Sequence, residues 1–290
     1  MPELPEVETV RRMLDPVLRG RTISRARVSQ HPLRTESLVG LPRALRGATF
    51  GSPRRVGKFL LLDFEDGRTL LSHLGMSGRW LASPEGPDVH RGLGHLHLRL
   101  TFSDGSRLDY QDPRRFGMLR VVAAGGLERD PSLRRLGPDP IAQPVTGSRL
   151  HDSGRASRTP IKSFLLDQSR IAGLGNIYVS EILFRASIDP RRLARDLGPA
   201  EWERIAHETL LVLQDSIDRM GTTFSTFRSV WNEPGEYGEQ LLVYDRLGEP
   251  CRICAQPIRR FVQAGRATFF CPHCQRLKPV SAASSGRKRG

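Results

Sequence analysis

Apolar and polar positions along this chain change period three times, and the changes divide it into parts. Near the start, Val7, Val10, Leu14 and Val17 recur at helical spacing. Pro5 suits a first helical position, Glu6 and Glu8 fall in the positive-ended first turn, and Arg19-Gly20 closes the segment, so a helix is predicted over 5–20. Pro16 predicts a kink or a break near Asp15. From Thr22 to about Val122 the period shortens to that of strands. Phe59–Phe64 runs into Asp66-Gly67 and returns through Thr69-Leu70-Leu71; His95–Leu100 alternates, turns at Asp104-Gly105, and returns through Leu108 and Tyr110. Alternation also predicts that His95 and His97 share one face of their strand. Several short strands with regular turns indicate a sandwich or barrel. Helical patterns return at Ile161–Leu166, Asn176–Arg185 and Pro199–Met220, followed by a long polar loop over Gly221–Glu239.

The expected class is α+β and multidomain. An N-terminal β-domain led by a helix covers 1–124, and a Gly-, Pro- and Arg-rich linker with one short helix covers 125–158. A helical domain covers 159–242, a cysteine module 243–275, and a disordered basic tail 276–290. A length of 290 residues suits two domains with substantial cores. No apolar run approaches the roughly 20 residues that span a bilayer, and the first twenty residues lack a secretory pattern. The expectation is a cytoplasmic, monomeric protein with no membrane partner.

Charge sharpens this picture. Forty-five Lys+Arg against 31 Asp+Glu give a net charge of +14, which points to a polyanionic partner without saying which. Nearly all the basic residues are arginine, and lysine is retained only at 58, 162, 278 and 288.

Two places carry candidate chemistry. At the terminus, Met1-Pro2-Glu3 would expose a secondary amine beside a carboxylic acid once Met1 is trimmed. An α-amino group titrates near ~7.7–8.0 against ~10.4 for lysine, so far more of it is free base at neutrality. A secondary amine attacking an aldehydic carbon gives an iminium directly, an electron sink for eliminations. The alternative is an ordinary start codon followed by proline. Near the other end, Cys251-x2-Cys254 and Cys271-x2-Cys274 form two knuckles suited to one zinc ion, with two disulfides as the alternative. With no secretion signal, zinc is favoured, and four thiolates close the coordination shell, so the ion is structural. Arg259, Arg260 and Arg266 lie between the pairs with Phe261, Phe269 and Phe270, a basic hairpin that could grip phosphates.

Pro2-Glu3-Leu4-Pro5-Glu6, Asp112-Pro113-Arg114-Arg115-Phe116-Gly117 and the four-cysteine finger together resemble the formamidopyrimidine-DNA glycosylases, the group that also holds endonuclease VIII. His73–Gly78 and Gly173–Tyr178 extend the resemblance, which runs from Met1 to Gln275. Leu4 stands where endonuclease VIII relatives carry glycine, which favours the formamidopyrimidine branch. The resemblance implies an N-terminal β-sandwich, a helix–two-turns–helix domain and a β-hairpin zinc finger. It implies binding of damaged double-stranded DNA with the target base turned out of the stack.

It also implies roles. Pro2 is the nucleophile at C1′, Glu3 the general acid/base, and Lys58 lies near the leaving phosphate and base. Arg266 touches phosphates near the lesion and serves the second elimination. Met76, Arg114 and Phe116 enter the duplex, Arg114 also contacting the orphaned cytosine. His95, Lys162 and Asn176 contact DNA, as does Arg158 on a looser match; Asn176 is also a natural N-cap. Glu6 and Glu181 are supporting carboxylates. The implied reaction removes 8-oxoguanine and formamidopyrimidines and then cuts the strand by β,δ-elimination. Two alternatives stay open: an endonuclease VIII-like oxidised-pyrimidine glycosylase, and a catalytically silent zinc-finger DNA-binding protein. Within 221–239, Thr222-Thr223 and Gly235-Glu236-Tyr237 echo the family, whereas Phe224–Phe227 and Ser229–Asn232 do not.

Overall fold

A computed structural model describes residues 1–34, 37–86, 92, 94–222, 230–231 and 235–277. Most of the 221–239 loop and the basic tail expected after 275 therefore lie outside the described residues. Two compact units are present: 1–145 with 167–175 and 209–241, and 146–166 with 176–208 and 242–290. Neither is one continuous stretch of chain.

The first unit opens with helix α1, Leu4–Leu18. Glu3 and Glu6 form a capping box in which the Glu3 N–H donates to Glu6 Oε2 at 2.8 Å. Leu4, Val7, Val10, Leu14 and Leu18 are buried along one side. Of the kink or break expected near Asp15, the break does not occur: the helix runs through Pro16 to Leu18. Pro16 lies so close to the C-terminal end that its missing N–H removes a single bond, and burial of Val17 and Leu18 outweighs it.

Strands β1 (Ile23–Val28), β2 (Arg54–Val56), β3 (Phe59–Asp63), β4 (Thr69–His73), β5 (Arg79–Ser83), β6 (Leu96–Phe102), β7 (Arg107–Gln111) and β8 (Met118–Val122) form two antiparallel sheets; a short helix α2 (Leu41–Leu45) follows β1. The orders are β1-β6-β7-β5 and β2-β3-β4-β8. Leu60, Leu62, Leu70 and Leu119 of one sheet share a core with Trp80, Leu98, Leu100, Leu108 and Tyr110 of the other, which is the expected sandwich. The turns at Asp66-Gly67 and Asp104-Gly105 place their glycines at φ +84° and +82°. One expectation fails here. His95 precedes β6 with φ +63° and is exposed, while His97 is buried. A register shift between Leu96 and Leu98 breaks the alternation that would have put both on one face. Between Leu127 and Val145 the chain carries a 3₁₀ turn at Leu127–Arg129, and Asp130 and Asp139 pair with Arg120 and Arg55 of the sandwich.

The second unit contains α3 (Gly147–Gly154), α4 (Ile161–Leu165), α5 (Asn176–Arg185) and the first half of α6 (Pro199–Asp218). Phe164 packs edge-on to Trp202 at 5.4 Å between ring centres. A hairpin of β9 (Arg259–Gln263) and β10 (Arg266–Phe270) completes the unit. Its turn residues Ala264 and Gly265 have φ +49° and +72°, the left-handed pair that a tight hairpin turn needs.

Candidate functional site

In the first unit, the helix start and the Lys58 turn meet one loop. Pro2 and Glu3 are buried, the latter 2% exposed, at the head of α1. The Leu4 N–H donates to the Gly173 carbonyl at 3.1 Å. A Cβ at Gly175 would stand 2.3–2.7 Å from the Glu3 carboxyl group, so only glycine lets the carboxylate sit there. The same loop reaches Gly57, whose added Cβ would meet Ala172 and Gly173 at 3.1–3.6 Å. Lys58 follows Gly57 and is 8% exposed. Behind that turn, Arg55 bridges Glu8 and Asp139, both buried, and Asp139 accepts the Gly57 N–H at 2.8 Å. Buried charges persist when paired and hydrogen-bonded in this way, and the network fixes the backbone that carries Lys58.

Glu6 is 1% exposed, and both its oxygens are engaged. Oε2 accepts from Glu3 N–H and Oε1 accepts from Thr222 N–H at 2.7 Å. Its place is to brace the helix start against the foot of the 221–239 loop. That foot is further closed by a bridge between Thr222 and Glu236.

The residues expected to enter the duplex are exposed in this unit, and core packing does not account for them. Met76 is 36% exposed and Phe116 43%. The Arg114 guanidinium stacks 4.9 Å from the centre of the Phe116 ring. Phe116 also lines a cavity of about 420 Å³ with Arg34, Phe59, His73, Met118 and Arg120. His73 was not singled out in the sequence. Its Nδ1 accepts from Gly75 N–H at 3.0 Å, and burial, with the charges of Lys58 and Arg34, pushes its pKa down to about 4. The imidazole is therefore neutral at pH 7, with Nε2 carrying its proton. The one signal that could have found it is its place in His73–Gly78; in the fold it pairs with Phe59, the residue after Lys58.

In the second unit the four cysteines converge. Their sulfurs all lie within 4.8 Å of one another, with Cys251–Cys274 at 3.9 Å and Cys254–Cys271 at 3.4 Å. Tetrahedral zinc with Zn–S near ~2.3 Å needs sulfurs roughly 3.8 Å apart, so the set fits one ion. Backbone N–H groups of Ile253 and Cys274 point at Cys251 and Cys271 sulfurs, as zinc knuckles require. The four cysteines hold one structural Zn²⁺ with no open position.

Arg266 is exposed directly after the hairpin turn. Arg158 is exposed on its loop, and no partner among the described residues places it. Two expectations change. Lys162 is 1% exposed, and its Nζ donates to the Ala267 carbonyl (2.9 Å) and Thr268 Oγ1 (2.8 Å). An ammonium buried with two donors engaged anchors β10 where an open phosphate contact was expected. Asn176 is the first residue of α5, not its N-cap; its Nδ2 donates to the same Ala267 carbonyl at 3.0 Å, and its Oδ1 has no partner among the described residues. Glu181, fully buried, accepts N–H bonds from Leu242, Val243 and Tyr244 at 2.8–3.0 Å, so it ties down the segment that leads into the finger.

Three family profiles match in order: the formamidopyrimidine-DNA glycosylase N-terminal domain over residues 1–119, its H2TH domain over 136–228, and a zinc finger found in FPG and IleRS over 248–277. The formamidopyrimidine-DNA glycosylase of Methylococcus capsulatus is 42% identical over 276 residues, covering 95% of this chain and all of the relative. That of Paracoccus denitrificans is 43% identical over 282 residues with the same coverage. Among solved structures, the MutM (Fpg) protein of Thermus thermophilus superposes with a TM-score of 0.84 at 37% identity, over 96% of this chain and all of that one. A MutM in complex with DNA containing carbocyclic 8-oxo-G gives 0.86 at 31% identity, over 95% and all. A Lactococcus lactis Fpg mutant bound to Fapy-dG DNA gives 0.85 at 32% over the same shares. With its three domains matched in sequence order and full-length relatives above 40% identity, the chain belongs to the formamidopyrimidine-DNA glycosylase family.

Proposed function

We propose that this chain is a base-excision-repair enzyme that removes oxidised purines from double-stranded DNA and then cleaves the abasic strand. The observation that supports it most is the shared loop at 172–175, which packs against Leu4 and the Glu3 carboxylate on one side and against Gly57, beside Lys58, on the other. An amine, a proton carrier and a cation are thereby gathered on one scaffold. Relatives bearing the glycosylase name, and structures of relatives on 8-oxo-G and Fapy-dG DNA, supply the substrate class.

The chemistry follows from the side chains. Removal of Met1 makes the Pro2 nitrogen a secondary amine. It attacks C1′ of the extruded nucleotide, and the bond to the base breaks, with Glu3 moving protons to and from the opening sugar. The resulting iminium acidifies C2′, so the 3′ phosphate leaves by β-elimination; a δ-elimination then releases the 5′ phosphate. Lys58 stabilises the departing phosphate, and Arg266 holds the backbone through the second step. Glu6 keeps the helix head in place. The zinc ion takes part in no step and shapes the hairpin that carries Arg266. The protein acts as a monomer in the cytoplasm, on the chromosome.

A second reading has one observation behind it. A Lactococcus lactis Fpg has also been solved on DNA containing an oxidised pyrimidine, at 31% identity and TM-score 0.84. Single-turnover excision from 8-oxoguanine:C and thymine-glycol duplexes separates the two. Faster release of 8-oxoguanine is expected, and faster release of thymine glycol favours the endonuclease VIII-like reading. Tight binding with no excision of either would leave a silent DNA-binding protein.

A further inference from the structure

Four residues expected to touch DNA, Met76, His95, Arg114 and Phe116, belong to three separate loops that meet at one buried carboxylate. Asp112 is 0% exposed. Its Oδ1 accepts from Ser77 Oγ at 2.5 Å and its Oδ2 accepts from Gly117 N–H at 2.7 Å. Its backbone N–H donates to the His95 carbonyl at 3.0 Å, and its carbonyl accepts from Arg115 N–H at 3.2 Å. His97 Nε2 lies 3.0 Å from that same carbonyl. Ser77, 4% exposed, turns its oxygen to accept Arg114 N–H at 3.1 Å. The Met76 loop also presses on the Phe116 loop directly. A Cβ at Gly75 would stand 2.4–2.6 Å from Phe116 and Gly117 backbone atoms, and Gly75 has φ +60°. Arg115, at φ +56°, holds the strained turn between Arg114 and Phe116.

We propose that Asp112 and Ser77 are positioning residues that lock the Met76 and Arg114–Phe116 loops, with His95, into one wedge, so that all the inserting side chains enter the duplex together. The proposal rests on the glycosylase reading above. Its physical basis is entropy. Opening a base stack costs a few kcal/mol, and loops that first had to be ordered would add to that cost. The clip removes the second cost in advance. Neither residue is placed to touch the sugar chemistry, so the clip acts on extrusion and not on bond breaking.

Ser77→Ala removes the bridging hydroxyl with little change in volume. The expected result is single-turnover excision from an 8-oxoguanine:C duplex slowed about tenfold, the loss that follows a hydrogen bond to a charged group. Cleavage at a preformed abasic site, where no damaged base must be unstacked, stays within about twofold of the parent protein on the same reasoning. A 2-aminopurine beside the lesion should brighten correspondingly more slowly. Asp112→Asn sets a donor against either Gly117 N–H or the Ser77 hydroxyl, and should show the same split more strongly at a temperature where its unfolding curve shows it folded. If Ser77→Ala slows both reactions equally, or neither, the clip is merely structural and the proposal is overturned. If the parent protein itself fails on 8-oxoguanine, the glycosylase reading fails instead.

Discussion

His73 packs 4.8 Å from the Phe59 ring, and burial, with the nearby charges of Lys58 and Arg34, lowers its pKa to about 4 from an ordinary 6.5. Between those two pH values the unfolded chain holds a proton that the folded chain does not. Stability therefore falls as pH drops from about 6.5 to about 4 and is flat, as far as this group goes, above that window. At ~1.4 kcal/mol per pKa unit the full loss is roughly 3–4 kcal/mol. Urea unfolding at pH 7 and pH 4.5 should show this slope in the parent protein and a shallower one in His73→Gln; equal slopes would contradict it. This residue also marks where single-residue reading of the sequence stops. The four cysteines were legible because their spacing alone defines a zinc site, whereas Pro2 and Glu3 stood out only through the terminal motif taken together with the family resemblance. The setting of His73 is built by Gly75, Lys58 and Arg34 in three dimensions, and no local pattern announces it. Lys162 shows the converse: its type and place suggested a phosphate contact, yet its three-dimensional partners are Ala267 and Thr268.

At the level of elements, the zinc hairpin is held at its strand and at its approach. Lys162 and Asn176 grip β10 through Ala267, Gln275 Nε2 donates to the Ile188 carbonyl, and Glu181 collects three consecutive backbone N–H groups before the finger begins. Glu181→Gln must point an amide N–H at one of those donors, because a carboxamide offers a single oxygen. A loss of about 1–3 kcal/mol is expected for the unsatisfied pair, read as a lower denaturation midpoint and faster zinc loss to a chelator. Unchanged stability would show that water replaces the lost acceptor. The two central hairpins (β3–β4 and β6–β7) and the main helices were legible from period and turn chemistry, and the finger from its cysteine spacing. Two details were not, and both have local causes. Helix α1 continues through Pro16 because its last turn is buried, and β6 loses its alternation to a bulge beside His97. Alternation says nothing about an inserted residue, and a proline near a helix end costs less than one in the middle.

Across the whole molecule, a net charge of +14 and a zinc-held basic hairpin describe a protein built to lie on phosphates. Polyanion binding alone, however, would not require a buried Pro2-Glu3 packed on a glycine loop that also supports the Lys58 turn. On the proposed function, the imino nitrogen of Pro2 bonds to the sugar of an extruded damaged nucleotide. Reduction with borohydride during reaction on an 8-oxoguanine duplex, followed by peptide mapping of the trapped protein, tests this most directly. A covalent protein–DNA adduct on the N-terminal proline of the Met1-trimmed chain is the predicted result. Strand cleavage with the adduct on a lysine, or undiminished cleavage by a form that retains Met1, would contradict it.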